Sequence, residues 1–292
     1  MRDPIVSMPG QFRFGIRRLV EEARALQAAG IPAVAVFPAL DDGLKTPTGG
    51  ESLNSEGLYP RAIRALKEGV PGLLVISDVA LDPYSSDGHD GVVVGGRIDN
   101  DASVDLLAQM ALVHAEAGAD VVAPSDMMDG RVAAIREALD SGGYLDVAIL
   151  AYTAKYASAY YAPFREALDS APTTRSGAPG DKKTYQMDPA NVEEAIRELL
   201  LDLDEGADIV MVKPAINYLD VIARVREVAS VPVAAYHVSG EYAMIKAAAA
   251  NGWLDERQAA LEAVTAIKRA GASIILTYFA GDLAGWLEQP NE

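Results

Sequence analysis

Two lysines stand where solubility gives no reason for them. Lys213 closes the apolar run Ile209-Val210-Met211-Val212, and Lys155 lies just past Ala148-Ile149-Leu150-Ala151-Tyr152. Lysine is rarely buried without a partner. Desolvation disfavours the ammonium, and a second cation nearby lowers its pKa further. An amine that is neutral near pH 7 attacks carbonyl carbon and forms a Schiff base. The competing reading is that each lysine snorkels to solvent or pairs with a carboxylate.

Carboxylates accompany the lysines. Asp78 and Asp82 close one strand-like run, and Asp87, His89 and Asp90 follow in a turn-rich loop. Ser125, Asp126 and Asp129 follow the next run. Hard oxygen ligands at strand ends suit Mg²⁺, and loop capping by aspartate is the alternative. His89, His114 and His237 do not have the spacing of a metal triad. His114 falls on a helical stripe and reads as structural. His237 ends a strand and is expected to face the site.

The elements that must position these residues alternate between two periods. Ile16, Leu19, Val20, Ala23 and Leu26 follow the helical rule and stop at Gly30, before the apolar run Ile31–Pro38. The stripe Val104–Ala115 stops at Gly118 and feeds Asp120–Pro124. The helix Glu193–Glu205 stops at Gly206 and feeds Asp208–Val212, and a helix from about Glu262 to Ala270 stops at Gly271 and feeds Ser273–Tyr278. Short continuous apolar runs read as parallel strands buried on both faces. With Leu73–Val79, Asp146–Tyr152 and Val231–Val238 they make seven. Nothing resembling a strand precedes Ile31. The pattern predicts one domain over 1–292, an α/β TIM (β/α)₈ barrel lacking its first strand, with a doubly wound open sheet as the alternative. The Gly-, Pro- and Ser-rich stretch at about 165–188 reads as a lid over the strand ends, or else as a disordered insertion.

Composition narrows the chemistry. Against 42 Asp and Glu there are 25 Lys and Arg, a formal net charge of −17, and there is no cysteine. Disulfides, thiolate zinc sites, iron–sulfur clusters and cysteine nucleophiles are excluded together. A nucleic-acid partner needs a basic face, and an anionic membrane surface repels this charge. No apolar run reaches the roughly 18 residues of a membrane span. The start Met1-Arg2-Asp3-Pro4 does not read as a secretory signal, so a cytoplasmic protein is expected.

Four stretches carry a resemblance. They are Met211–Pro214 (MVKP), Ala123–Val132 (APSDMMDGRV), Tyr152–Ser158 (YTAKYAS) and Tyr236–Met244 (YHVSGEYAM). In this order they closely resemble the porphobilinogen synthase family, also called 5-aminolevulinate dehydratase, from about Pro4 to Trp286. The resemblance implies a (β/α)₈ barrel that condenses two molecules of 5-aminolevulinate into porphobilinogen in tetrapyrrole (heme) synthesis. Lys213 and Lys155 match the two Schiff-base lysines, Lys213 for the propionate-side substrate and Lys155 for the acetate-side one. Ser239 and Tyr278 match the residues that hold the first carboxylate. Arg165, Lys182 and Gln186 match those that hold the second. Asp78 and Ser125 match residues lining the site, and Phe164 and Tyr236 match its aromatic walls.

Two departures qualify what the resemblance implies. Ala80, Asp82 and Asp90 stand where zinc-dependent members carry three cysteines, which resembles the aspartate-rich branch that uses no zinc, and either Mg²⁺ or no active-site metal. Asp82 and Asp90 are then candidate metal ligands, and Glu198 matches the ligand of an allosteric Mg²⁺. In the family an arm and a first barrel strand precede the segment matching Asp3–Gly10, and both are expected to be absent here. The arm clasps neighbours in a homo-octamer, so a homo-oligomer is expected with its size left open. The alternatives are another class I Schiff-base aldolase, which leaves the second lysine without a task, and an inactive truncated barrel.

Overall fold

The computed structural model describes residues 1–174 and 177–288. The chain opens with a short antiparallel hairpin, β1 (Arg2–Pro4) and β2 (Phe12–Phe14). It continues through α1 (Ile16–Ala28), β3 (Ala33–Val36), α2 (Leu58–Gly69) and β4 (Leu74–Val79). A second hairpin, β5 (Val92–Val94) and β6 (Arg97–Asp99), leads into α3 (Asn100–Glu116). Then come β7 (Val121–Pro124), α4 (Arg131–Ser141), β8 (Ala148–Lys155), α5 (Ala162–Leu168) and α6 (Glu193–Asp204). The chain ends with β9 (Ile209–Lys213), α7 (Leu219–Val228), β10 (Val233–His237), α8 (Ser239–Ala250), α9 (Glu256–Ala270), β11 (Ile274–Thr277) and α10 (Ala280–Glu288).

All seven strands read from the sequence form one parallel sheet, ordered β11-β10-β9-β8-β7-β4-β3. The four glycines that end the strand-feeding helices, Gly30, Gly118, Gly206 and Gly271, all have positive φ, as a left-handed helix end requires. One expectation fails. The first fourteen residues contain two three-residue strands, which pair with each other and not with the parallel sheet. They are too short and too rich in Pro and Arg to announce themselves by alternation.

The sheet curls into a barrel. Five inter-strand steps separate β10 from β3, about 24 Å in a flat sheet. Yet the ring of Phe37, just past β3, lies 6.4 Å from that of Tyr236 on β10. Side chains from all seven strands meet in one interior cluster, including Ala35, Ile76, Ala123, Tyr152, Met211, Tyr236 and Leu276. The alternate residues, such as Val75, Val122, Ile149, Val210 and Val233, pack outward against the helices. The barrel is open between β3 and β11. The side chains of these two strands are half-buried, with Val36 alone fully buried, whereas those of β7 and β10 are buried throughout.

Candidate active site

The catalytic geometry starts with an irregularity in β8. Ala151 pairs with Val210 and Ala154 with Val212, so two residues on β8, Tyr152 and Thr153, oppose one on β9, Met211. This bulge shifts the alternation by one residue. Ala151 and Ala154 both face outward, and Lys155 turns inward. Simple alternation from Ala151 would have sent Lys155 to the outer helices. Instead Lys155 ends the strand in register with Lys213 of β9, and the two lysines line one cavity.

Their environments differ. The Lys213 Nζ sits among four aromatic rings, 4.6 Å from Tyr236, 5.0 Å from Phe164, 5.1 Å from Tyr152 and 5.2 Å from Tyr161. Ring faces attract an ammonium, but they also exclude water. Burial, then the neighbouring Lys155 charge, bring Lys213 down to about 7. The Lys155 Nζ lies 3.2 Å from Asp90 Oδ2 and donates to the Ser125 carbonyl. Asp90 is shared, because Lys182 Nζ lies 2.6 Å from its other oxygen and 3.2 Å from Asp82. Burial opposes ionisation of Asp90, but Lys155 and Lys182 outweigh it and hold the carboxyl at about 2. Burial likewise works against the Lys182 charge, and Asp82 and Asp90 raise its pKa on balance.

Asp78 behaves in the opposite way. Burial and the nearby Asp82 push it up to about 7. Its Oδ1 is buried with no hydrogen-bond partner among the described residues. Asp78, Asp82, Ser125, Phe164, Arg165, Lys182 and Gln186 line the same cavity as the lysines. Tyr161 and Phe164 are the aromatic residues of its lining. Tyr236 lies against Lys213, and its hydroxyl meets that of Tyr278 at 3.1 Å. The Ser239 hydroxyl accepts from the Phe164 N–H at 3.0 Å and donates to the Tyr160 carbonyl at 3.3 Å.

The stretch read as a lid begins inside α5, so Arg165 is helical, and Arg165, Lys182 and Gln186 are its members that line the cavity. Arg175 and Ser176 lie outside the described residues. His89 ties the lid to the aspartate loop. Its Nε2 is 2.9 Å from the Pro179 carbonyl, which can only accept, so that nitrogen carries the proton. Its Nδ1 then accepts from the Tyr185 hydroxyl at 3.0 Å, and Tyr185 accepts from the Asp90 N–H at 3.2 Å. Gly88 allows close approach, for a Cβ there would lie 2.4 Å from the Ala171 carbonyl oxygen.

Several expectations change. His237 does not face the site. It alternates outward after Tyr236, bonds Thr277 at 2.9 Å and stacks on Phe279. His114 is structural as read, held at about 3 by burial and bonded to Ser77 at 3.2 Å. Asp82 and Asp90, the candidate metal ligands, both contact the Lys182 ammonium, at 3.2 and 2.6 Å. Among the described residues no three His, Asp or Glu side chains converge to hold a metal ion. Glu198 lies apart on α6, where burial and Asp202 raise its pKa. The sequence reading missed Tyr161, whose hydroxyl donates to the Lys213 carbonyl at 3.1 Å. The pair Tyr160-Tyr161 after β8 was the available signal. It also missed Tyr185 and Glu241, which are polar groups in otherwise ordinary helix and loop contexts.

Comparison with known proteins agrees with this geometry. The family model described as delta-aminolevulinic acid dehydratase matches residues 1–286. The chloroplastic enzyme of that name from Physcomitrium patens is 57% identical over 286 residues, covering 97% of this chain and 65% of the relative. The Bradyrhizobium diazoefficiens protein of that name is 54% identical over 279 residues, covering 96% of this chain and 78% of the relative. The chain thus spans about two thirds to four fifths of these relatives. A crystal structure of the Toxoplasma gondii enzyme with the product porphobilinogen superposes with a TM-score of 0.96 at 51% identity, covering all of this chain and 84% of that one. With two inward lysines on adjacent strands and a match along 286 residues, the chain belongs to the delta-aminolevulinic acid dehydratase family.

Proposed function

We propose that this chain condenses two molecules of 5-aminolevulinate into porphobilinogen with release of two waters, a step of tetrapyrrole synthesis. The observation that carries this reading is the in-register pair Lys155–Lys213 in one cavity, with Lys213 near neutrality at pH 7. The neutral Lys213 amine attacks the ketone of the first substrate. Asp78, poised at about 7, gives a proton to the departing hydroxyl as the carbinolamine becomes an iminium. Ser239 and Tyr278 hold that substrate's carboxylate. The second ketone is attacked by Lys155. Arg165, Lys182 and Gln186 hold the second carboxylate. Fixing both substrates turns a three-body encounter into an oriented one. The iminium makes the adjacent C–H acidic. Loss of that proton from the second substrate gives an enamine whose carbon attacks the iminium carbon of the first. Attack by the first substrate's amino group on the iminium carbon at Lys155 then closes the ring and expels Lys155. Elimination of Lys213 with loss of ring protons leaves the aromatic pyrrole and frees both lysines.

Glu198 supports a Mg²⁺ site away from the chemistry. Asp202, Asp129 and Glu194 add negative charge around it, which a divalent cation relieves. Mg²⁺ keeps several waters, so one protein carboxylate can suffice. Such an ion would hold α6 in place and take no part in the bond changes. A homo-oligomer is part of the same proposal.

The test is porphobilinogen formation from 5-aminolevulinate, read as the coloured adduct with Ehrlich's reagent. Product from the native chain and none from Lys213→Ala is expected. A Lys213→Ala variant with a tenth of the native rate would sink the assigned role.

A further inference from the structure

The first substrate must be held at two points, its ketone at Lys213 and its carboxylate at Ser239. These residues come from different elements, the end of β9 and the start of α8. One side chain joins the two. Glu241 is fully buried, at 0% exposure. Its Oε1 accepts from the Ile216 N–H at 2.7 Å and its Oε2 from the Val238 N–H at 2.8 Å. Ile216 lies three residues past Lys213, and Val238 immediately precedes Ser239. The backbone N–H groups of Ala215 and Asn217 act on the same carboxylate.

Both ends of this tie are stiff. The Lys213 carbonyl is fixed by the Tyr161 hydroxyl, and the Ser239 hydroxyl by Phe164 and Tyr160. Burial raises Glu241 to about 7 in spite of its hydrogen bonds. A buried carboxyl is thus a poor choice for stability alone. Its value lies in accepting from two separate chain segments at once.

We infer that Glu241 is a positioning residue that sets the spacing between the Lys213 amine and the Ser239 hydroxyl, and so the carbon count of the keto acid held between them. The inference rests on the Schiff-base reading above. It assigns chain-length selectivity to a residue that touches no substrate.

The test uses two keto acids without the amino group, 4-oxopentanoate and 5-oxohexanoate, which differ by one methylene between ketone and carboxylate. Each is incubated with the full chain and borohydride, and adducts at Lys213 and Lys155 are quantified separately by mass spectrometry. The native chain is expected to label Lys213 about tenfold better with the shorter acid, the discrimination one methylene typically supports. In Glu241→Gln the Lys213 preference should fall toward parity, while the Lys155 ratio stays at its native value. Glu241→Asp, which keeps the charge but shortens the reach, should do the same and serves if the glutamine variant does not fold. An unchanged preference at Lys213 in both variants overturns the inference. So does an equal change at both lysines, which marks general loosening. Absence of any Lys213 adduct in the native chain would instead overturn the Schiff-base reading itself.

Discussion

Two identical side chains, one strand apart, are given different chemistry by their neighbours. Lys213 meets rings and a like charge, whereas Lys155 meets the Asp90 carboxylate. The first is expected to react as a free amine at neutral pH. Trace labelling with acetic anhydride should rise at Lys213 about tenfold between pH 6 and 8 and then level off, following its pKa of about 7. Labelling that still climbs beyond pH 9, as for an ordinary lysine, would remove its early role. Asp90 makes a second prediction. Its folded pKa of about 2 lies below the ordinary 3.8, so its contribution is present above pH 4 and lost as pH falls toward 2. The gap corresponds to about 2 kcal/mol. Asp90→Asn leaves two buried ammonium groups short of a counter-charge and should destabilise by about 3–5 kcal/mol. In a denaturant series its stability should also vary less between pH 4 and 2 than the native protein's.

At the scale of elements, the site depends on one bulge and one docking contact. The bulge in β8 brings Lys155 to the inner face beside Lys213. The docking contact joins the lid to the loop after β4. Thr173 bonds the Asp87 carbonyl at 2.9 Å, His89 bonds Pro179, and Lys182 bridges Asp82 and Asp90. The base of the lid is held as well, with Arg13 on the Ala167 carbonyl and Lys45 on the Asp169 carbonyl. Gly88, at φ +70 and pressed against Ala171, is where this contact is tightest. Gly88→Ala should therefore undock the lid. The expected results are faster limited proteolysis within 170–188 and a KM for 5-aminolevulinate raised about tenfold, with kcat changed less. Native proteolysis rates in that variant would show that the contact does not hold the lid.

Over the whole molecule, charge is distributed against the average. The chain carries −17, yet Lys155, Lys182, Lys213 and Arg165 gather in one cavity. Asp78, Asp82 and Asp90 offset part of this charge, so the cavity does not share the repulsion that the net charge imposes on a small anion. The negative excess lies elsewhere, including around Glu198 on α6. Chelation with EDTA is expected to lower activity, and Mg²⁺ but not Zn²⁺ to restore it. Loss of the response in Glu198→Ala would place the ion there, and full activity after exhaustive chelation would remove the metal from the scheme.

Periodicity determined the strands, the helices that feed them and the glycines between, because burial on both faces and helix termination are local demands on residue type. The residue types and four motifs singled out the two lysines and most of their companions. Lys155 shows the limit of that reading. By simple alternation it faces the outer helices, and only the unequal pairing of β8 with β9 turns it inward. His237 faces outward by simple alternation after Tyr236, in unbroken register with Thr277 of β11. The capture of Asp82 and Asp90 by Lys182 spans about a hundred residues of chain. Glu241, joining two loops, is an ordinary helix-start glutamate in the sequence. Sequence sets what each segment prefers, whereas contacts between distant segments exist only once the barrel has curled and brought its strand ends together.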